Sequence, residues 1–132
     1  MNLTMYTMPH FKSKFEVQVW KELRKEFPRT KYESNSYKYI QPAIHRTYTP
    51  DFRTGRRLIY IEAKGKLDLD TRKKMLWFKE HNPHVTIIFL FMNPDNKITK
   101  RSKTTYAMWA EKNGFLWLDY RKDWINDYKK LS

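Results

Sequence analysis

Thr49-Pro50-Asp51 is followed, eleven residues after the aspartate, by Glu62-Ala63-Lys64, and these side chains are the kind that phosphodiester hydrolysis needs. A phosphodiester resists water because water is a poor nucleophile and the expanded phosphate is strongly negative; a divalent cation answers both problems. Magnesium prefers oxygen ligands and takes only one or two protein carboxylates, filling its other positions with water and phosphate oxygens. Asp51 and Glu62 are the candidate pair. Lys64 lies two residues past Glu62, and on an extended strand such residues share a face, so ammonium and carboxylate project together.

The elements around these residues must bring them together. Leu58 to Lys64 is rich in β-branched and aromatic residues and reads as a strand, with Ile59, Ile61 and Ala63 on an apolar face and Leu58, Tyr60, Glu62 and Lys64 on an open chemical face. Arg46 to Phe52 precedes it, with Pro50 marking a sheet edge or strand start, and the turn falls near Gly55. A tight hairpin centred on Thr54-Gly55 would pair Glu62 with Thr47 and leave Asp51 roughly 13 Å away along the strand. A shared metal therefore requires a wider loop through Thr54-Gly55-Arg56-Arg57, which sets Asp51 beside Glu62.

The 132 residues suit a single domain, 1–132. Lysine and arginine outnumber aspartate and glutamate by 27 to 14, a formal charge of +13 that calls for a polyanionic partner. Nucleic acid fits better than a membrane, since no run approaches the ~18 apolar residues of a span and no signal-peptide core is evident. A soluble, cytoplasmic protein is expected. The lack of cysteine removes thiolate metal sites, the four histidines lack ligand spacing, and there is no phosphate-binding glycine loop, so neither zinc nor a nucleotide cofactor is expected.

Ser13 to Glu16 has capping-box spacing, and Phe15, Val19, Leu23 and Phe27 recur every four residues up to Pro28, which predicts a first helix. Lys31 to Ile40 reads as one tyrosine-rich strand. An Asp68 or Asp70 cap opens a second helix that ends near Asn82-Pro83. Val85 to Met92 is a central strand covered on both faces, parallel to the one before the helix. A helix near Thr104 to Asn113 and a strand from Phe115 to Leu118 follow, and the residues around Trp124 read as a cap or tail. The expected class is α/β, a mixed central sheet flanked by helices.

Each residue also has a plainer reading. Glu16 is explained by the capping box, Glu33 by a solvated strand position, Asp51 by a turn, and Glu62 with Lys64 by a surface pair. Against this, Glu62 interrupts a strongly apolar strand in a chain whose charge already predicts DNA or RNA. Candidate phosphate contacts are Arg53, Arg56 and Arg57 beside the proposed site, Arg72, Lys73 and Lys74 at the start of the second helix, and Lys97, Lys100, Arg101 and Lys103 in a separate loop.

Together the residues resemble the bacteriophage endonuclease I family, the Holliday-junction resolvases of short-tailed phages within the PD-(D/E)xK nuclease superfamily. The likeness is carried by Lys31-Tyr32-Glu33, Thr47-Tyr48-Thr49-Pro50-Asp51-Phe52, Glu62-Ala63-Lys64-Gly65, Arg72-Lys73-Lys74, Thr105-Tyr106 and Glu111-Lys112-Asn113-Gly114. It departs in Phe15 before Glu16 and Ala63 inside the E-x-K. The resemblance implies a restriction-endonuclease-like core with Asp51, Glu62 and Lys64 as catalytic residues and Glu16 completing them from the helix. Glu33 is a possible additional acidic residue. Asp51, Glu62 and the Ala63 carbonyl would hold magnesium, with manganese substituting, and Glu16 would bind or orient a second ion. It further implies an intertwined, domain-swapped homodimer bridged by about residues 40–46, making paired nicks in four-way DNA junctions in the infected cell's cytoplasm. A duplex-acting relative of the same superfamily and a non-catalytic architectural DNA-binding protein are the alternatives.

Overall fold

The computed structural model describes residues 8–41 and 44–132. Helix α1 (Lys14–Glu26) is opened by a complete capping box and buries Phe15, Glu16, Val19 and Leu23, as the four-residue recurrence requires. Strand β1 (Lys31–Tyr32) stops at Glu33, whose φ of 48° breaks extended geometry. The tyrosine-rich segment is therefore two strands in different sheets: β2 (Tyr37–Gln41) pairs instead with β3 (Ile44–Tyr48) in a separate antiparallel hairpin. The proposed bridge falls on that hairpin, with Ile40 facing His45 and Gln41 facing Ile44 in one chain; Pro42 and Ala43 lie outside the described residues.

The main sheet runs β1-β4-β5-β6-β7, with β4 (Phe52–Arg53), β5 (Ile59–Lys64), β6 (Thr86–Phe91) and β7 (Leu116–Asp119). The β1-β4-β5 pairings are antiparallel and the β5-β6-β7 pairings parallel, so the sheet is mixed. Helix α2 (Leu69–His81) is capped by Asp68 and joins β5 to β6. Helix α3 (Tyr106–Lys112) ends before Gly114, whose φ of 77° is the left-handed turn a glycine adopts without strain.

Alternation along β6 explains its nearly unbroken apolar run. Ile87, Phe89 and Phe91 join Met75 and Phe78 of α2 and Trp109 of α3 on one face, while Ile88 and Leu90 join Val19 and Leu23 of α1 on the other. Strand β5 alternates likewise, Tyr60 inward on the α2 face and Ile61 and Ala63 on the α1 face. Its expected open face is in fact covered by the β2–β3 hairpin and α2, leaving Tyr60 and Glu62 buried and only its end accessible. Residues past Tyr120 form helix α4 (Trp124–Leu131) rather than a tail. Trp124 and Tyr128 are buried against α1, and the Tyr128 hydroxyl shares a 2.7 Å hydrogen bond with Thr54.

Candidate active site

Register decides whether Asp51 and Glu62 meet. Phe52 lies opposite Ile61 and Arg53 opposite Tyr60, so the chain between Arg53 and Ile59 forms the wide loop, and one step back sets Asp51 against Glu62. Pro50 has no N–H to donate, and the regular ladder ends there. The aspartate carboxylate continues it: the Ala63 N–H donates to Asp51 Oδ2 at 3.0 Å, and the Asp51 N–H donates to Glu62 Oε1 at 3.2 Å. Each acid is thus fixed by the other's strand.

Glu62 Oε1 also accepts a 2.6 Å hydrogen bond from the Tyr48 hydroxyl at the end of β3, while Oε2 lies 3.3 Å from Lys64 Nζ. Glu16 approaches from the first turn of α1 and lines the same cleft. Its Oε1 accepts from the backbone of Lys12 at 2.8 Å and Ser13 at 3.1 Å, and from the Tyr32 hydroxyl at 3.0 Å. The capping role and the cleft position are therefore held together by one carboxylate. A pattern results: each acid has one oxygen fastened by protein donors. Glu16 Oε2 and Asp51 Oδ1 accept no hydrogen bond among the described residues, and Glu62 Oε2 meets only the Lys64 ammonium.

The cleft encloses about 480 Å³ and adds Lys12, Lys66 and Lys74 to these residues. Burial, then the facing Glu62 and Glu16 carboxylates, push the Asp51 carboxyl well above its usual range; Lys64 only partly opposes them. Burial acts to lower the Lys64 ammonium, but Glu62 and Asp51 outweigh it and the net shift is upward. The ammonium form is thus favoured by the two carboxylates that Lys64 faces. Burial, followed by Glu62, drives the Tyr48 phenol well above its usual value, so it remains a proton donor. Burial and Lys64 hold the Lys74 ammonium below its usual value.

A divalent cation fits this donor set. Asp51 and Glu62 face each other, and among the described residues each keeps one carboxylate oxygen that no backbone N–H or hydroxyl fastens, hard oxygen donors of the kind magnesium takes. Among the described residues no group of three His, Cys, Asp or Glu is gathered tightly enough to hold one ion. The facing carboxylates are the pair Asp51 and Glu62.

The other expected residues divide. Glu33 sits at the end of β1, its side chain in a 2.9 Å ion pair with Lys12 at the cleft wall and its N–H bonded to the Asp51 carbonyl at 2.7 Å. Lys74 reaches the cleft, whereas Arg72 bonds the Leu67 carbonyl at 3.3 Å and Lys73 is exposed. The segment bearing Lys97, Lys100, Arg101 and Lys103 leaves the sheet at the active end, where the Met92 N–H bonds the Lys64 carbonyl at 3.0 Å. Arg56 and Arg57 are not beside the site. They occupy the loop at the other end of β5, roughly 17 Å of strand from Lys64, because the chain runs away from Asp51 through β4 before turning. Arg56 lies over the Phe27 ring at 5.1 Å, and Arg53 over Tyr60 at 5.8 Å. Tyr48 and Tyr32 were not evident as site residues; their positions beside the motif residues, in Tyr48-Thr49-Pro50-Asp51 and Tyr32-Glu33, were the available signal.

This chain is similar to known phage nucleases along most of its length. The phage endonuclease I family model matches residues 3–131. Endonuclease I of Escherichia phage T7 is 35% identical over 122 residues, spanning 91% of this chain and 81% of that protein. Endodeoxyribonuclease 1 of Enterobacteria phage T3 is 38% identical over 109 residues, spanning 83% and 71% respectively. The chain belongs to the phage endonuclease I family.

Proposed function

We propose that the protein is a magnesium-dependent DNA endonuclease that resolves four-way junctions by paired nicks, with manganese able to replace magnesium. The observation that carries this reading is the reciprocal locking of Asp51 and Glu62 across β4 and β5 with Lys64 at 3.3 Å. Asp51, Glu62 and the Ala63 carbonyl would hold the metal, which supplies an activated water and neutralises phosphoryl charge. Lys64, held cationic, stabilises the negative charge that builds on the phosphate. Glu16 would use its unfastened oxygen, from α1, to orient water or a second ion, and Glu33 holds Lys12 in an ion pair at the cleft wall. Lys74 and Lys66 line the cleft, and the 97–103 segment, which follows β6 from the same end of the sheet, would meet flanking phosphates.

A restriction-endonuclease-like core in an intertwined homodimer completes the reading, since two cuts in one junction call for two sites. The strands that pair as a hairpin here, β2 and β3, are the elements chains would exchange. Products would carry 5′-phosphate and 3′-hydroxyl ends, in the cytoplasm of an infected cell. Among the described residues no helix is long and apolar enough to cross a membrane.

Purified protein on a labelled four-way junction beside a matched duplex tests this directly. Cleavage of the junction in magnesium, binding with little cutting in calcium, and none in chelator are expected. Equal cutting of duplex would replace junction selectivity with the duplex-nuclease alternative, and binding without nicking in any metal would make the protein architectural. Mixing Glu16→Ala with Asp51→Ala chains tests exchange: swapped sites regain part of the activity, self-contained sites regain none.

A further inference from the structure

Glu62 is a flexible side chain that must present one oxygen to a cation, and something must choose which. Its Oε1 faces two donors, the Asp51 N–H at 3.2 Å and the Tyr48 hydroxyl at 2.6 Å, of which the phenol is the shorter and less replaceable. Tyr48 is 4% exposed. Its ring meets Phe78 edge-on at 4.7 Å and lies under the Lys74 ammonium at 5.2 Å, so α2 grips the ring on more than one side. A neutral donor is the suitable partner here. It anchors one oxygen without cancelling the carboxylate charge, as a second lysine would.

We propose that Tyr48 is a positioning residue for the cleavage reaction, its hydroxyl locking Glu62 so that Oε2 is the oxygen offered to the metal. The inference rests on the assignment of Glu62 as a metal ligand. It gives the β2–β3 hairpin a role in the chemistry, because the strand that covers β5 also delivers the group that orients the site, and the packing of α2 on that hairpin sets the angle. Outer partners of metal-binding carboxylates characteristically change metal affinity by 10–100-fold when removed.

Tyr48→Phe deletes only the hydroxyl and keeps the ring contacts with Phe78 and Lys74. Magnesium titrations of the full-length protein would be followed in two ways, by junction cleavage and by the rise in Tm without DNA, at a temperature where circular dichroism shows every variant folded. Tyr39→Phe serves as a control, since Tyr39 is a buried hairpin tyrosine away from the cleft. The expected result is about a 10-fold or greater increase in the magnesium needed for both responses in Tyr48→Phe, with junction binding in chelator unchanged and Tyr39→Phe like wild type. Unaltered magnesium dependence in Tyr48→Phe, or an equal shift in Tyr39→Phe, overturns the positioning role. Glu62→Gln separates the two levels: if it abolishes the magnesium response while Tyr48→Phe does nothing, only the inference fails. If Glu62→Gln keeps the response, the ligand assignment fails and takes the inference with it.

Discussion

Glu16 shows why a residue can satisfy two explanations at once. A carboxylate has two oxygens, and the capping box occupies one of them, leaving the other at the cleft. The variants separate accordingly. Glu16→Gln preserves the cap geometry, so stability should stay within about 0.5 kcal/mol while cleavage falls by about 10–100-fold; Glu16→Ala should in addition lower stability by about 1 kcal/mol. Thermal unfolding beside single-turnover cleavage reads both. Asp51 makes the complementary case, because its folded-state carboxyl is raised above the unfolded value by burial and its neighbours. Below pH 3.8 both states are protonated and the site costs nothing; as pH rises toward the folded value, the unfolded chain ionises first and stability is lost. Metal-free Asp51→Asn should therefore be the more stable protein at neutral pH, with relief of about 1 kcal/mol raising Tm by ~4 °C. Magnesium should raise the Tm of the native protein and not of Asp51→Asn. A lower metal-free Tm in Asp51→Asn would show that the carboxylates are not in conflict.

At the scale of elements, what the sequence discloses depends on whether the signal is local. α1, α2 and β6 were legible because caps and periodicity lie within the elements themselves: Ser13 with Glu16, Asp68 with Thr71, and an apolar run buried on both faces. The wide β4–β5 loop followed from chemistry, since only that register lets Asp51 face Glu62. The break at Glu33 was not legible, because a left-handed φ at a glutamate is imposed by its N–H bond to the Asp51 carbonyl, eighteen residues on. Helix α4 is not legible in the sequence for a similar reason. Its aromatic residues are decided by partners far away in sequence, Trp124 donating to Glu22 at 3.2 Å and Tyr128 bonding Thr54. Because Tyr128 is fully buried beside the loop that sets the register, Tyr128→Ala should cost about 3–5 kcal/mol, measured by denaturant unfolding. A loss below about 1 kcal/mol, the ordinary cost of a point substitution, would mean that α4 is an appendage after all.

For the molecule as a whole, the formal charge of +13 is distributed in a way that sequence proximity obscured. The loop segment 97–103 rises from the same end of the sheet as Lys64, while Arg56 and Arg57 sit in the loop at the other end, Arg56 over Phe27 and Tyr128. Removing one phosphate-binding cation reduces the slope of log affinity against log salt by about 1. Replacing Lys100 and Arg101 together by glutamine should therefore lower the slope by about 2, weaken junction binding at every sequence, and leave the single-turnover rate at saturation unchanged. Replacing Arg56 and Arg57 should change the slope less. Equal effects from both pairs would place DNA along the whole length of β5 rather than at its active end.

Asp51 and Glu62 face one another, and on the proposed function they hold a cation that Lys64 alone cannot replace. Crystals soaked in manganese, with anomalous scattering recorded at its absorption edge, would reveal that cation directly. An anomalous peak is expected within coordination distance of both carboxylates, and it should be lost in crystals of Asp51→Asn. Manganese bound elsewhere with that position vacant, or a peak that persists in Asp51→Asn, would contradict the assignment.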